Sequence, residues 1–206
     1  MDFLELPIGN TPILEIEYLF KDKAKKFYAK LESYNLTGSI KDRTAYYILQ
    51  KAIREKRLKA GQPIAEASSG NFGIGLAAIG KLLGHEVHIF MPAFATEERK
   101  RLLRLYGAEL HLNYDEHDAF NVAMDNCHKF ALETDAFETS QFENMDNVNA
   151  HYYGTGQEIV NEVGNLIGGF VAGIGSGGTF MGIAKRIKEY NKNIKTLHIN
   201  KYMYIT

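Results

Sequence analysis

Cysteine is almost absent from the sequence: Cys127 is the single one among 206 residues, so no internal disulfide can form. A lone cysteine fits a reducing compartment as well as a secreted protein that has no disulfides. With 4 prolines, the chain also falls outside the proline-rich disordered and collagen-like classes. Its 45% hydrophobic and 24% charged residues indicate a globular protein of about one to one and a half domains.

Long apolar runs and an excess of positive charge are missing too. No run approaches the ~18 apolar residues that a membrane span needs. The amino terminus has no basic start and no sustained apolar stretch, which argues against a signal peptide, so we expect a cytoplasmic protein. Lysine and arginine together number 24 and aspartate and glutamate 25, so the net charge is -1 and a nucleic acid is not an expected partner.

Short apolar runs alternate with amphipathic stretches from Phe27 onward, roughly one pair every 25 to 30 residues. This alternation predicts an α/β fold in which helices cover a parallel sheet. The predicted strands are 27–31, 64–67, 87–91, 108–112, 170–173 and 196–200. The first predicted helix follows Ser39, and the others lie within 73–83, 96–107, 119–132, 150–163 and 179–190.

A lysine stands at the start of the first predicted helix. The turn residues Asn35 and Gly38 lead into a first helical turn that contains Lys41. The positive partial charge of a helix start lowers the pKa of a lysine only slightly, whereas burial can lower it much further. A buried Lys41 is a candidate for Schiff-base chemistry with a carbonyl cofactor. A solvated lysine beside Asp42 and Arg43 is equally compatible with the sequence.

A second turn rich in hydrogen-bond donors occupies 66–76, between a strand end and a helix start. Open α/β sheets bind ligands at such positions. Free backbone N–H groups and the hydroxyls of Ser68 and Ser69 converge there, which suits a carboxylate. An ordinary capped turn with small residues gives the same pattern, so the glycines alone do not show whether this turn binds a ligand.

The third turn, 173–179, is rich in glycine and joins an apolar strand to an amphipathic helix. This context suits a phosphate, and the flanking hydroxyls favour a single phosphomonoester. Gly173, Gly175 and Gly178 also satisfy the dinucleotide fingerprint G-x-G-x-x-G. That fingerprint expects an acidic residue at the end of the next strand, where 198–200 reads His-Ile-Asn.

Together these segments resemble the pyridoxal-phosphate enzymes of fold type II, specifically the family of cysteine synthase (O-acetylserine sulfhydrylase) and cystathionine β-synthase. The shared motifs occur in the family's order from residue 8 to about residue 190. They are 8–13 (IGNTPI), 30–32 (KLE), 37–43 (TGSIKDR), 68–71 (SSGN), 106–109 (YGAE), 141–144 (QFEN), 154–159 (GTGQEI) and the glycine-rich turn.

The resemblance implies a role for each matching residue and implies no metal. Lys41 would hold the cofactor, pyridoxal 5′-phosphate, covalently and then move the Cα proton of the substrate as general base. Asn71 would hydrogen-bond the 3′ oxygen of the cofactor. The phosphate would lie on Gly175, Ser176, Gly177, Gly178 and Thr179, and the substrate carboxylate on Ser68, Ser69, Gly70 and Gln141.

The implied reaction is β-replacement on an activated serine, in which O-acetylserine loses acetate and sulfide adds to give cysteine. A β-elimination or a cystathionine-forming reaction is the alternative within the family. The implied fold is doubly wound and has two domains. Residues 35–144 would form the smaller domain, and residues 1–34 with 145–206 part of a larger, incomplete cofactor-binding domain. The implied partners are a small amino-acid substrate and a second copy in a homodimer, with no membrane.

Two features depart from the family's pattern. Phe72 stands where the family has threonine, so a hydroxyl is lost and a ring fills space, which either changes specificity or packs against the domain. The resemblance ends near residue 199, where family chains continue, so we expect an exposed sheet edge and apolar faces. A catalytically silent remnant that binds an anion or a partner is therefore a rival hypothesis, and nicotinamide binding is a third.

Two other residue types are interpreted as structural. His85 and His88 are three apart on a predicted strand, so they point to opposite faces and are poor shared metal ligands. Both are interpreted as surface histidines. Cys127 is interpreted as a buried thiol.

Overall fold

The computed structural model describes residues 6–199, in which strands and helices alternate after an amino-terminal hairpin. The strands are β1 (Ile13–Phe20), β2 (Lys23–Lys30), β3 (Ile64–Ala67), β4 (Val87–Pro92), β5 (Ala108–Asn113), β6 (Phe137–Glu138), β7 (Gly169–Gly173) and β8 (Lys195–Ile199). The helices are α1 (Lys41–Arg54), α2 (Asn71–Leu82), α3 (Glu97–Leu105), α4 (Ala119–Thr134), α5 (Asp146–Ala150), α6 (Gly156–Val163) and α7 (Gly178–Tyr190). A π-helical turn, His151–Thr155, joins α5 to α6.

The central sheet contains four parallel strands in the order β5-β4-β3-β6, and a second parallel pair is formed by β7 and β8. Parallel strands need crossover connections, which the intervening helices supply. All residues of β3 and β4 are buried, as in a sheet that is covered on both faces. The predicted α/β fold class is therefore confirmed.

The main core lies where α1 and α2 pack against one face of the central sheet. Ala45, Ile48, Leu49 and Ala52 follow one another at the spacing of a helical face and are all fully buried. The other face of the sheet is covered by α4, whose Cys127 is buried as expected. Burial raises the pKa of this thiol, so it is not a reactive group.

Two parts of the fold differ from the sequence prediction. The strand predicted at 27–31 is the end of β2, which pairs with β1 in an antiparallel hairpin that was not predicted. His85 and His88 are buried, so the surface interpretation of both was wrong. His85 lies against the carbonyl of Gln62, with its Nδ1 2.8 Å from that oxygen. Asn200, the last residue of the final predicted strand, lies outside the described residues.

The other predicted strands and helices are present, with ends that differ by a few residues. Within residues 6–199, no helix combines the length and the apolar character that crossing a membrane requires.

Candidate active site

Lys41 is the first residue of α1, and its side chain points toward the glycine-rich turn. Its Nζ atom donates a hydrogen bond to Oγ of Ser176 at 3.0 Å. Burial lowers the pKa of Lys41, and the negative charge of Glu66 opposes this shift in part. Lys41 is half-buried and its amine contacts Ser176, and burial is the main cause of its lowered pKa.

The glycine-rich turn connects β7 to the start of α7 and approaches its neighbours closely. Gly177 has φ +86°, in the left-handed region that side chains rarely adopt. A Cβ atom on Gly178 would overlap the side-chain amide of Asn147, so a larger residue would have to displace that amide. The same Asn147 donates from Nδ2 to Oγ of Ser176 at 2.8 Å, which holds the turn in place.

A cavity of about 310 Å³ lies beside the contact between Lys41 and this turn. Ile40 and Lys41 line one side of the cavity, and residues within 172–180 line the other. Cβ positions on Gly175 and Gly177 have no atom within 4 Å, so the turn leaves open space. The first N–H groups of a helix have no partner within the helix, and at α7 they lie beside two hydroxyls. This donor set fits a phosphate, and the amine of Lys41 fits an aldehyde.

The turn after β3 is ordered mainly by Ser68. Its buried Oγ accepts hydrogen bonds from the backbone N–H of Gly73 at 3.1 Å and of Gly70 at 3.4 Å. Ser69 is half-buried, and Asn71 opens α2 with an exposed side chain. Phe72 is 2% exposed and belongs to the main core, so its ring packs inside the domain.

Gln141 lies beside a buried carboxyl that the sequence interpretation did not single out. Its backbone N–H and its Nε2 each donate to Glu66 at 3.3 Å, and the hydroxyl of Thr139 donates to the same carboxyl. Burial raises the pKa of Glu66 to about 7, although these three donors favour the ionised form. The available signal was an acidic residue inside the apolar strand Ile64–Ala67.

Hydrogen bonds connect the amine of Lys41 to Glu66 on β3 through Asn147. Lys41 donates to Ser176, Asn147 donates to both Ser176 and the carbonyl of Gln141, and Gln141 donates to Glu66. The structure thus brings together predicted residues from three distant segments. Asn71 is different: within residues 6–199 its side chain makes no hydrogen bond to Lys41 or to the glycine-rich turn.

His151 supports the glycine-rich turn from the protein interior. Its Nε2 atom lies 3.2 Å from the hydroxyl of Thr179 and 3.0 Å from that of Thr44, and its Nδ1 lies 3.0 Å from the hydroxyl of Thr155. Burial, together with the positive charges of Lys41 and Arg43, lowers the pKa of His151 to about 3. The ring is therefore neutral. Neither His151 nor Asn147 lies in a local motif that predicts such a role.

Arg43, two residues after the lysine, anchors the start of α1. It donates to both carboxylate oxygens of Glu32 and of Glu158, at distances from 2.6 to 2.9 Å. Lys30 adds a second cation 2.9 Å from Glu158. Burial alone would raise the pKa of Glu158, but the bonds from Arg43 and Lys30 lower it to about 2. Lys41 is thus held beside a rigid, charge-compensated network.

Comparison with known proteins identifies the family. Residues 4–203 match the sequence profile of the family described as "Pyridoxal-phosphate dependent enzyme". The chain belongs to this family. The resemblance to fold type II pyridoxal-phosphate enzymes is confirmed, and the family's cofactor is pyridoxal phosphate, not nicotinamide.

Similar proteins include cysteine synthases and a sulfide-producing enzyme. A cysteine synthase of Staphylococcus aureus is 39% identical over 193 residues, which cover 93% of this chain and 62% of the relative. The crystal structure of a hydrogen sulfide-producing enzyme from Fusobacterium nucleatum superposes with a TM-score of 0.88 at 49% identity, covering 92% of this chain and 58% of that one. A cysteine synthase structure from Entamoeba histolytica gives a TM-score of 0.85 at 34% identity, covering 93% and 58%. The chain thus spans about three fifths of the length of these relatives.

Proposed function

We propose that this chain carries the cofactor and substrate sites of a pyridoxal-phosphate enzyme that replaces the β-substituent of an activated serine. In the proposed reaction, O-acetylserine and sulfide give cysteine and acetate. The observation that carries the proposal is the half-buried amine of Lys41, which is hydrogen-bonded to Ser176 of the glycine-rich turn and lines a cavity together with that turn. The cysteine synthases among its relatives support the same reaction.

Each part of the site has a proposed task. Lys41 would hold the aldehyde carbon of the cofactor and, when free, accept the Cα proton of the substrate. Bound pyridoxal phosphate supplies the electron sink for the charge that this proton leaves at Cα. The lowered pKa of Lys41 supports its role as a base, because a larger fraction of the amine is then neutral. Residues 175–179 would bind the phosphate, and Asn71 the 3′ oxygen.

The substrate carboxylate would lie on the turn after β3, on residues 68–70 and Gln141. Ser68 already accepts two backbone hydrogen bonds at Oγ, so its own hydroxyl proton stays available to donate to a carboxylate. Gln141 is held by Glu66, and its carbonyl by Asn147. Because these contacts already fix the side chains of Ser68 and Gln141, the two residues would lose little conformational freedom when a substrate binds.

We also propose that residues 35–144 form a smaller domain and that 1–34 with 145–206 contribute to a larger one, of which 1–5 and 200–206 lie outside the described residues. The central sheet and the fully buried residues of its core lie within 35–144, with Leu6 and Ile8 packed against them, whereas a separate core joins α6, α7 and β7. Arg43 binds Glu32 and Glu158, so it would connect the smaller domain to both parts of the larger one.

A second candidate reaction is the release of sulfide from cysteine, a β-elimination or a replacement of the thiol. The specific observation in its favour is the 49% identity to the sulfide-producing enzyme of Fusobacterium nucleatum, which exceeds the 39% to the Staphylococcus aureus cysteine synthase. Both reactions use the same amine, phosphate cradle and carboxylate turn. They differ in the leaving group at Cβ.

The two reactions are distinguished by supplying each substrate to the protein loaded with pyridoxal phosphate. Cysteine formed from O-acetylserine and sulfide supports the first proposal, and sulfide released from cysteine alone supports the second. Lys41→Ala should abolish either activity, whereas Lys59→Ala, a change at an exposed lysine, should leave it intact. A folded protein that gains no visible absorbance with the cofactor would support the silent remnant instead.

A further inference from the structure

Two histidines and a glutamate converge on one face of the central sheet, away from the amine and the glycine-rich turn. His88 lies on β4, and Glu109 and His111 lie on β5. In the strand register His88 pairs with Glu109, and His111 follows two residues later on the same strand. Residues two apart point to the same face, so the parallel pairing itself brings the three side chains together.

The distances among these groups are close to the spacing of ligand atoms around a metal ion. Nδ1 of His88 lies 3.1 Å from Nε2 of His111 and 3.7 Å from Oε2 of Glu109. Nε2 of His111 lies 3.8 Å from Oε1 of Glu109. A tetrahedral Zn²⁺ ion with ligands at ~2.0 to 2.1 Å separates its ligand atoms by roughly 3.3 to 3.4 Å. The two histidines contact different oxygens of Glu109, and one ligand atom from each of the three groups lies within 4.8 Å of the others, so side-chain adjustments without a change of backbone would let them share one ion.

The two imidazole rings are already held by aromatic neighbours. The His111 ring stacks on Phe90, with centroids 4.3 Å apart and planes 8° apart, and the His88 ring lies 4.6 Å from that of Phe130. Rings fixed in this way lose little conformational freedom when they bind an ion. Glu86 places a carboxylate oxygen 4.0 Å from the other nitrogen of His88, beyond hydrogen-bond distance.

Solvent reaches this cluster from one side. A cavity of about 430 Å³ between β5 and α4 is lined by His111, Phe90 and Phe130. The side chain of Glu109 is 68% exposed, whereas that of His88 is 10% exposed. An ion could therefore enter from the Glu109 side, and a water molecule could complete the four ligands, as in open zinc sites.

We propose that His88, Glu109 and His111 bind a divalent first-row transition metal, with Zn²⁺ as the best match to two imidazoles and a carboxylate. Imidazole nitrogen with carboxylate oxygen is a ligand set that Zn²⁺ takes readily, whereas Mg²⁺ and Ca²⁺ prefer oxygen alone. Because β5 is an edge strand, the ion would fasten it to β4. Its expected effect is on stability, since the amine and phosphate cradle lie on other elements.

Calorimetric titration of the protein with ZnCl₂ in a non-chelating buffer tests this site. We expect one Zn²⁺ per chain in the parent protein and a loss of affinity of at least about 100-fold in Glu109→Gln and in His111→Gln. Losing a residue that only hydrogen-bonds to a metal ligand lowers metal affinity by up to about 100-fold, and we expect the loss of a direct ligand to lower it at least as much. Glu109→Gln is the more informative variant, because its exposed side chain can change without disturbing the core.

His128→Gln is the matched control, because His128 also faces a carboxylate, that of Glu138 at 3.0 Å, but has no second imidazole beside it. Its Zn²⁺ affinity should equal that of the parent. Zn²⁺ should also raise the melting temperature of the parent and of His128→Gln, but not that of Glu109→Gln. The proposal is overturned if the parent does not bind Zn²⁺, or if binding survives both Glu109→Gln and His111→Gln.

Discussion

The Nζ atom of Lys41 lies 3.0 Å from Oγ of Ser176, although the two residues are 135 positions apart in the sequence. The contact joins the start of α1 to the turn that precedes α7, and Asn147 braces the same hydroxyl from the other side. A half-buried amine and a glycine-rich turn with free helix N–H groups therefore line one cavity. This relationship is the basis for the function proposed above.

Removing the hydroxyl of Ser176 should weaken cofactor binding. Ser176→Ala removes a hydroxyl that is proposed to donate to the phosphate, and a hydrogen bond to a charged group contributes ~1.5 to 3 kcal/mol. We expect the dissociation constant of pyridoxal phosphate to rise roughly 10- to 100-fold, as measured by the cofactor's visible absorbance. Ser176→Thr keeps a hydroxyl and should retain most of the affinity. Equal affinity in the parent and in Ser176→Ala would show that the hydroxyl takes no part.

Two glycines of the same turn should respond differently to an added methyl group. Gly178→Ala would push a Cβ against Asn147 and should destabilise the fold by ~1 to 3 kcal/mol, as overpacking does. Gly175→Ala meets open space and should leave stability nearly unchanged while weakening cofactor binding, because that space is proposed to hold the phosphate. Urea unfolding and cofactor titration of both variants separate these effects. Normal cofactor affinity in Gly175→Ala would place the phosphate elsewhere.

The buried carboxyl of Glu66 should make stability depend on pH. Its pKa is raised from 4.5 to about 7 in the fold, so between these values the unfolded chain has released the proton while the folded chain keeps it. The contribution of Glu66 to stability is therefore largest below about pH 4.5 and declines as the pH rises toward about 7. Glu66→Gln cannot titrate, so the difference in unfolding free energy between parent and variant should change over this range. A constant difference would contradict the raised pKa.

The ion network around Arg43 should be important for stability. Arg43→Met leaves Glu32 and Glu158 partly buried without their main partner, which should cost ~3 to 5 kcal/mol. Lys26→Met removes an exposed pair with Glu15 and should change stability little. Chemical denaturation of both variants measures the contrast. Similar losses in the two variants would mean that burial of the Arg43 network has no special role.

Much of the fold could be predicted because its helices and buried strands carry clear periodicity. β3 was predicted with its observed ends, and the helices predicted within 73–83 and 179–190 correspond to α2 and α7. The β1–β2 hairpin was not predicted. Its turn residues Lys21 and Asp22 both have positive φ, but they lack the Asn-Gly or Asp-Gly letters that signal such a turn.

The candidate site was only partly predictable, because local motifs do not encode contacts between distant segments. Lys41 and residues 175–179 stand in recognisable local motifs, so they could be named before their contact was known. Glu66, Asn147 and His151 act through contacts between distant segments, which a local pattern does not encode. His88 was interpreted as a surface residue because its strand partners were unknown, and the register of β4 with β5 is what places it beside Glu109 and His111.

The most direct test is to incubate the protein with pyridoxal phosphate, reduce it with borohydride and map the labelled peptide by mass spectrometry. Reduction fixes the cofactor to the amine that held it. The account predicts a single major label on Lys41, and its loss in Lys41→Ala with the fold intact by circular dichroism. A label on another lysine of the parent protein, or no label on a folded chain, would contradict it.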